Sequence, residues 1–194
     1  MIRALVAALA LPLVLAACGT PAPSPLSVPP ASAAPQPAPA ASDRQSERGN
    51  LVKQLGETAA FGPTQDQLVV KFAVDKITVD PKCTSAYAQK AEHGHLVKID
   101  LRAETDKALP ADGFYMLTGW DFATVGADGI TETQLVTGSS AMCLDEADKF
   151  HNQPFAPGSK YRGSIVIDTK NPSGALIMKP AFMNAGGWEW TYGA

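Results

Sequence analysis

The sequence predicts an all-β domain in which two antiparallel sheets pack face to face. From about residue 50 onward, short runs that alternate between apolar and polar residues recur along the chain, with turn-forming residues between them. These runs suggest seven to nine short strands, whereas only Leu144–Phe150 resembles a helical turn. No fixed repeat points to a propeller or a solenoid. A two-sheet sandwich is therefore the expected architecture, with a closed barrel as the alternative.

The composition fits one folded domain of ordinary size. The chain has 194 residues, of which 45% are hydrophobic and 18% are charged, and its formal net charge is -3. Lysine and arginine are scattered singly among aspartate and glutamate, whereas nucleic-acid-binding proteins concentrate them on one face or in a run. Nucleic acid is therefore not an expected partner.

Residues 1–17 have the pattern of an export signal. Arg3 supplies a positive charge, and the apolar run that follows it is too short to span a bilayer. The sequence Leu15-Ala16-Ala17-Cys18 resembles the cleavage and lipidation box of bacterial lipoproteins. The resemblance implies that Cys18 becomes the first mature residue and carries diacylglycerol and a further acyl chain such as palmitate, which would anchor the protein in a membrane. An ordinary secretory signal is the alternative.

Residues 18–49 are expected to form a disordered tether behind the anchor. Half of the sixteen prolines fall between Pro21 and Pro39, and alanine and serine make up most of the rest. Such a composition lacks the apolar mass that would compensate the entropy of ordering, and it favours polyproline II. At about 3.1 Å per residue, the tether could hold the domain roughly 90 Å from the membrane.

Residues 50–194 carry the predicted strands. The clearest is His95–Thr105, in which the apolar residues alternate with charged ones, so Val97, Ile99, Leu101 and Ala103 are expected to face the core. Asp128-Gly129 predicts a tight hairpin. The other predicted strands are, in chain order, Leu51–Ala59, Gln67–Val74, Gly113–Leu117, Trp120–Val125, Ile130–Val136, Tyr161–Asp168, Ala175–Met178 and Gly187–Tyr192.

The end of the chain carries a family resemblance. The Pro157-Gly158 turn, the strand Tyr161–Asp168 and the terminal Gly187-Trp188-Glu189-Trp190 together resemble the telokin-like, immunoglobulin-fold domains of actinobacterial lipoproteins and secreted antigens. The strand Val97–Ala103 fits the same pattern, and the similarity covers about Gly49–Tyr192. It implies an immunoglobulin-like sandwich outside the cytoplasm, with no established enzymatic activity and no catalytic residues to transfer.

The cysteines predict one disulfide. If Cys18 carries lipid, Cys83 and Cys143 remain, and in an exported protein such a pair is most economically a cystine. Antibody domains have a tryptophan shortly after their first cysteine, whereas Trp120 lies far beyond Cys83, so a bridge between the two sheets is not expected. Two free thiols that bind a metal are the alternative, although Cys-x-x-Cys spacing is absent.

Histidines and aromatic residues are the other candidates for binding. His93 and His95 are two residues apart and would share one face of a strand, and His151 could complete a three-histidine metal site. Solvated histidines are the preferred interpretation, so no metal is assigned. The residues that share one face of the last strand are Trp188, Trp190 and Tyr192. We interpret this stripe as core rather than as a sugar or peptide platform, and Trp120 is open to the same two interpretations.

The sequence contains no catalytic signature. A Gly-x-Ser-x-Gly elbow, a His-Glu-x-x-His motif and a phosphate loop are all absent, and Ser139, Ser140 and Ser164 have no base nearby in sequence. We therefore expect neither enzymatic activity nor a cofactor.

The first functional hypothesis is a lipid-anchored binding module of the cell envelope. Its expected partner is an envelope or extracellular protein, and its expected contact surface consists of the loops Pro81–Gly94 and Thr137–Pro157. The alternative is an extracytoplasmic lipoprotein that carries a small ligand or a metal, followed by an envelope hydrolase. A carrier needs a cavity or convergent ligands, and a hydrolase needs a nucleophile beside a base.

Overall fold

The computed structural model describes residues 44–64, 66–110, 112–183 and 186–193. The predicted signal peptide, the predicted lipidation site Cys18 and most of the predicted tether lie outside these residues. Among the described residues, none forms a helix that is long and apolar enough to cross a bilayer. The elements are β1 (Leu51–Val52), β2 (Ala59–Phe61), β3 (Val70–Val79), β4 (His95–Thr105), β5 (Phe122–Val125), β6 (Thr131–Glu132), α1 (Gly138–Ala141), β7 (Lys160–Thr169), β8 (Gly174–Met178) and β9 (Trp188–Tyr192).

The strands form two sheets, which confirms the predicted immunoglobulin-like sandwich. One sheet has the order β1-β9-β8-β5-β6, and the other has the order β2-β3-β4-β7. Neighbouring strands are antiparallel except for β1 and β9, which are parallel. The helical segments in the described part of the chain are short, namely α1 and the 3₁₀ turns Gly119–Asp121 and Glu146–Asp148.

The core lies between the sheets and follows the predicted alternation. Val97, Ile99, Leu101 and Ala103 of β4 are all buried. The aromatic stripe of β9, namely Trp188, Trp190 and Tyr192, is buried as well, which confirms its interpretation as core. Phe72 of β3 meets Trp188 edge to face across the interior, with ring centroids 4.8 Å apart. Because each large apolar side chain contributes about 1.5–3 kcal/mol when fully buried, this layer stabilises the sandwich strongly.

Several predicted strands are shorter in the structure. Gly113–Leu117 has no regular structure, and pairing in Ile130–Val136 is limited to Thr131–Glu132. Trp120 lies in a 3₁₀ turn rather than a strand, because the side chains of Thr118 and Asp121 cap that turn. Alternation alone predicts a strand wherever apolar residues recur, whereas a strand also needs a neighbour with which to pair.

Residues upstream of β1 also contact the sandwich. Val52 N donates to Arg44 O at 2.8 Å, so the chain doubles back before it enters β1. Asn50 Nδ2 donates to the Glu189 carboxylate of β9 at 3.1 Å, and Arg48 forms an ion pair with the same carboxylate. Residues 44–49, which the sequence assigned to the tether, therefore pack on the edge of the five-stranded sheet.

Candidate binding surface

A disulfide between Cys83 and Cys143 joins two loops beside the four-stranded sheet, as the sequence predicts. Cys83 lies between β3 and β4, Cys143 follows α1, and their Cα atoms are 4.7 Å apart. The bond lies outside the main core, in a small cluster with Leu96, Leu144 and Val166. It is thus not a bridge between the two sheets, and it fixes the loops to the outer face of one of them.

Hydrogen bonds reinforce the connection between the two loops. The backbone N–H groups of Thr84 and Ser85 donate to Cys143 O at 2.9 and 3.2 Å. The Thr84 hydroxyl donates to Asp148 and accepts from the backbone N–H of Asp145. Since a loop fixed at several points loses little freedom when it binds, this arrangement suits a preformed contact surface.

One buried carboxylate holds both loops against the end of β7. Asp168 is fully buried and accepts from Glu92 N at 2.7 Å, from His93 N at 3.0 Å and from Thr137 Oγ1 at 2.9 Å. Glu92 and His93 belong to the first loop, whereas Thr137 caps the start of α1 in the second. A buried charge is tolerated only where such donors surround it, so Asp168 makes the position of one loop depend on the other.

Two exposed side chains stand out on the joined loops. Tyr87 is 79% exposed and Met142 is 44% exposed, and both line a depression of about 730 Å³ between the loops. Its other lining residues belong to the same two loops: Ser85, Ala86, Ala88, Gln89, Ala141, Leu144, Asp145, Glu146 and Lys149. We call this region the loop surface. It falls within the two loops that the sequence selects by length, although no sequence pattern distinguishes Tyr87 or Met142.

A second concave region lies along the outer edge of β7, and we call it the Trp120 groove. It encloses about 440 Å³ and is lined mainly by apolar side chains, among them Leu117, Val136, Phe150 and Ile165. Trp120, at its rim, is 68% exposed. Of the two interpretations open for Trp120, the structure excludes core and leaves a surface indole.

The turn that carries Trp120 is fixed by a capping arrangement. Asp121 accepts from Thr118 N at 2.7 Å, and Trp120 N donates to the Thr118 hydroxyl at 3.3 Å. Burial raises the pKa of Asp121, although hydrogen bonds from Thr118 and Ala181 oppose that rise. The cap orients the turn, so the indole extends from a rigid base.

The three histidines make separate contacts. His93 Nδ1 lies 3.2 Å from Asp168 O and 3.4 Å from the Glu132 carboxylate, whereas His95 Nδ1 lies 2.9 Å from Asp80 Oδ2. His151 stacks on Tyr161 with ring centroids 4.6 Å apart. In the described part of the chain, no group of three or more His, Cys, Asp or Glu side chains could hold a metal ion.

The serine hydroxyls are engaged in structural hydrogen bonds. Ser139 donates to Lys90 O at 2.7 Å, Ser140 donates to Thr137 O at 3.0 Å, and Ser164 donates to Asp100 Oδ1 at 2.6 Å. Among the described residues, none of these hydroxyls has a histidine within hydrogen-bond distance. These three hydroxyls therefore stabilise the loops and β7, and none of them lies beside a histidine that could act as its base.

Comparison with known proteins gives little further information. No protein-family model matches the chain. No curated protein matches it. The fold is similar to the crystal structure of the secreted protein MPT63 from Mycobacterium tuberculosis, at 18% sequence identity and a TM-score of 0.49, over 72% of this chain and 97% of that chain. A match this weak supports no conclusion about function.

Proposed function

We propose that this chain is a lipid-anchored protein of the cell envelope whose immunoglobulin-like domain binds a protein partner through the loop surface and catalyses no reaction. The observation that carries the proposal is the pair of exposed apolar side chains, Tyr87 and Met142, on loops that a disulfide and a buried carboxylate hold in place. Tyrosine and methionine are enriched at protein interfaces, and rigid loops bind with a smaller entropy loss.

The location outside the cytoplasm is supported by the cystine, because disulfides persist in oxidising compartments.

The membrane anchor rests on the resemblance of Leu15-Ala16-Ala17-Cys18 to a lipoprotein box. Cys18→Ala should abolish acylation, so this variant should leave the detergent phase in phase-partitioning experiments and lose the acyl mass in intact-mass measurements. Unchanged partitioning of the variant would refute the anchor and leave the binding proposal standing.

The binding proposal can be tested by site-specific cross-linking in the producing cells. A photoreactive amino acid at position 87 should yield one discrete adduct, whereas the same probe at Leu55 should not. Leu55 is a suitable control because it is 50% exposed but lies on the turn between β1 and β2. The adduct should disappear when Met142→Asp places a charge in the loop surface, since an unpaired charge is costly to desolvate. Equal adducts from positions 87 and 55, or an adduct that survives Met142→Asp, would overturn the proposal.

A further inference from the structure

One side of β3 is open over the last part of the strand. β2 pairs with β3 only at Val70–Phe72, and a little further along Gly56 N donates to Val74 O at 2.7 Å. Beyond the register shift between Val74 and Lys76, no described residue pairs with this side of the strand. We call the open part, Lys76–Val79, the β3 edge.

The backbone groups of Ile77 and Val79 point outward from the β3 edge. Asp80 N donates to Leu96 O of β4 at 2.7 Å, so Asp80 directs its backbone groups toward β4. Alternate residues of a strand point the same way, and the pairing of Ile77–Val79 with β4 contains no register shift. The N–H and C=O groups of Ile77 and Val79 therefore point away from β4. They have no hydrogen-bond partner among the described residues.

The β3 edge is accessible from the side. Ile77 and Val79 pack against the core, yet both side chains remain partly exposed. Their partners on β4, Ile99 and Val97, are fully buried. The exposure of Ile77 and Val79 therefore comes from the side of β3 that has no neighbour. An unpaired edge of this kind can pair with a further strand.

The β3 edge is complementary to a second copy of itself. In an antiparallel pair centred on Thr78, Ile77 of each copy lies opposite Val79 of the other, and each of these two pairs exchanges two N–H···O bonds. The same register places Lys76 beside Asp80 of the second copy, twice by symmetry.

The charges at the two ends of this pair are available. Among the described residues, Lys76 forms no ion pair. The side chain of Asp80 is 59% exposed, and only its Oδ2 atom contacts His95, at 2.9 Å. Opposite charges on facing strands stabilise the pairing, whereas like charges destabilise it.

The way in which β3 ends also suits the pair. Asp80 has a φ of 48°, in the left-handed region, so the chain leaves the extended path after Val79. In the antiparallel register, the strand of the second copy therefore turns away before it reaches Gly56, which closes the opening at Val74.

We propose that this chain forms a symmetric dimer by antiparallel pairing of two β3 edges. The contact joins the four-stranded sheets of the two copies, with a Lys76–Asp80 ion pair at either end. It is small, so the dimer exchanges with the monomer rather than being obligate. A strand of another protein could form the same backbone bonds, but a second copy also matches the charges at both ends. The dimer goes beyond the proposed binding function and does not depend on it.

The first test is Thr78→Cys in the full-length protein in the producing cells. The two Thr78 residues face each other in a pair without backbone bonds between them, where Cα atoms are about 4.5 Å apart, which is within the range of a disulfide. This variant should give a covalent dimer on a gel without reductant. Lys71→Cys is the matched control and should give none, since Lys71 is exposed on the same strand where β2 covers the edge.

The second test is sedimentation equilibrium of the full-length protein as isolated from the producing cells. The wild type should dimerise reversibly. Either Lys76→Asp or Asp80→Lys puts like charges at both ends of the pair and should weaken dimerisation by about tenfold or more. An equimolar mixture of these two variants should recover the affinity, because the carboxylates of one then face the ammonium groups of the other. Recovery also shows that both variants are folded.

Three outcomes would overturn the proposal. One is a wild type that remains monomeric at the highest soluble concentration, and another is equal cross-linking of Thr78→Cys and Lys71→Cys. The third is a mixture of the two charge variants that dimerises no better than either variant alone, which would assign the β3 edge to a strand of another protein. The cross-link at position 87 does not enter these results, so the two proposals are tested separately.

Discussion

The interactions that position the loop surface converge on one residue, Asp168. Its carboxylate is fully buried, and its three donors come from both loops. The hydrogen bonds to a charged group that is buried are stronger than those between neutral groups, and the penalty for leaving the donors unpaired is correspondingly large.

Replacing Asp168 by alanine should therefore destabilise the domain by about 3 kcal/mol, because two backbone N–H groups and the Thr137 hydroxyl would lose their acceptor. The measurement is urea unfolding followed by tryptophan emission. Asp112→Ala, at an exposed aspartate, is the control and should change the free energy of unfolding by less than about 0.5 kcal/mol. Equal effects of the two substitutions would contradict the structural role given to Asp168.

The lowered pKa of Glu189 predicts how the stability of the fold depends on pH. Burial by itself raises the pKa of Glu189, but hydrogen bonds from Arg48, Asn50 and Ser46 outweigh it and hold the pKa below its ordinary value of 4.5. Because the folded-state pKa lies below the unfolded one, the ionised carboxylate stabilises the fold above the unfolded pKa. That contribution is lost as the pH falls through the folded pKa.

Glu189→Gln should consequently flatten the acid limb of the stability curve. The free energy of unfolding of the wild type should fall more steeply below pH 4.5 than that of the variant, as measured by denaturant unfolding at several pH values. Thr191→Val, at an exposed position of the same strand that does not titrate, should leave the slope unchanged. A steeper slope in Glu189→Gln than in the wild type would contradict the lowered pKa of Glu189 in the folded state.

At the scale of elements, the two loops form one unit because the disulfide joins them. The two cysteines are 60 residues apart in the sequence. In the chain-entropy model, a loop of this length contributes about 4 kcal/mol by restricting the unfolded state. The strands themselves are joined by antiparallel pairing and a continuous core, so the fold does not depend on the cystine for its architecture.

The paired substitution Cys83→Ser with Cys143→Ser should lower the free energy of unfolding by about 4 kcal/mol at most and retain the β-sheet circular dichroism spectrum. Reduction of the wild type should have the same effect, whereas reductant should not affect the double variant. If the wild type unfolds identically with and without reductant, the bond is absent in solution.

The sequence predicts some elements well and others poorly, and β4 and β5 illustrate why. β4 spans His95–Thr105, as its alternation predicts, since one face is buried along its whole length. β5 begins at Phe122 rather than Trp120 because a capped turn competes locally with the extended conformation. Alternation reports burial, and it does not report which strand lies at an edge.

The same limit applies to the candidate sites. Loop length and the pair Cys83 and Cys143 selected the two loops that the structure joins, but not the exposed side chains of Tyr87 and Met142 on them. The Trp120 groove, in contrast, lies beside β7 because β7 is the last strand of its sheet and no further strand pairs with its outer edge. That depends on strand order, which no local pattern encodes. Glu189 alternates with the core residues Trp188 and Trp190, yet it is buried too, because Arg48 and Asn50, about 140 residues earlier in the chain, bind its carboxylate.

For the whole molecule, the contacts of residues 44–50 show that these residues belong to the folded domain although they precede β1. Arg48 and Asn50 supply donors to Glu189, and the chain doubles back along β1. Those residues stabilise the fold although they precede the first strand, and unlike the segment before them they contain no proline or alanine.

A chain that begins at Arg44 should be as stable as the longer protein, whereas one that begins at Leu51 should lose about 2 kcal/mol, because Glu189 would retain its charge without its donors. Thermal unfolding of the two truncated chains provides the measurement. Glu189→Gln should recover part of the loss in the shorter chain, and equal stability of both chains would contradict the role of residues 44–50.

The cystine also determines how the protein responds to a protease. The peptide bonds beside Tyr87 and Met142 both lie between Cys83 and Cys143, and cleavage of either would leave two fragments that share the same sheets and remain covalently joined. A nicked molecule would therefore migrate as one species until it is reduced.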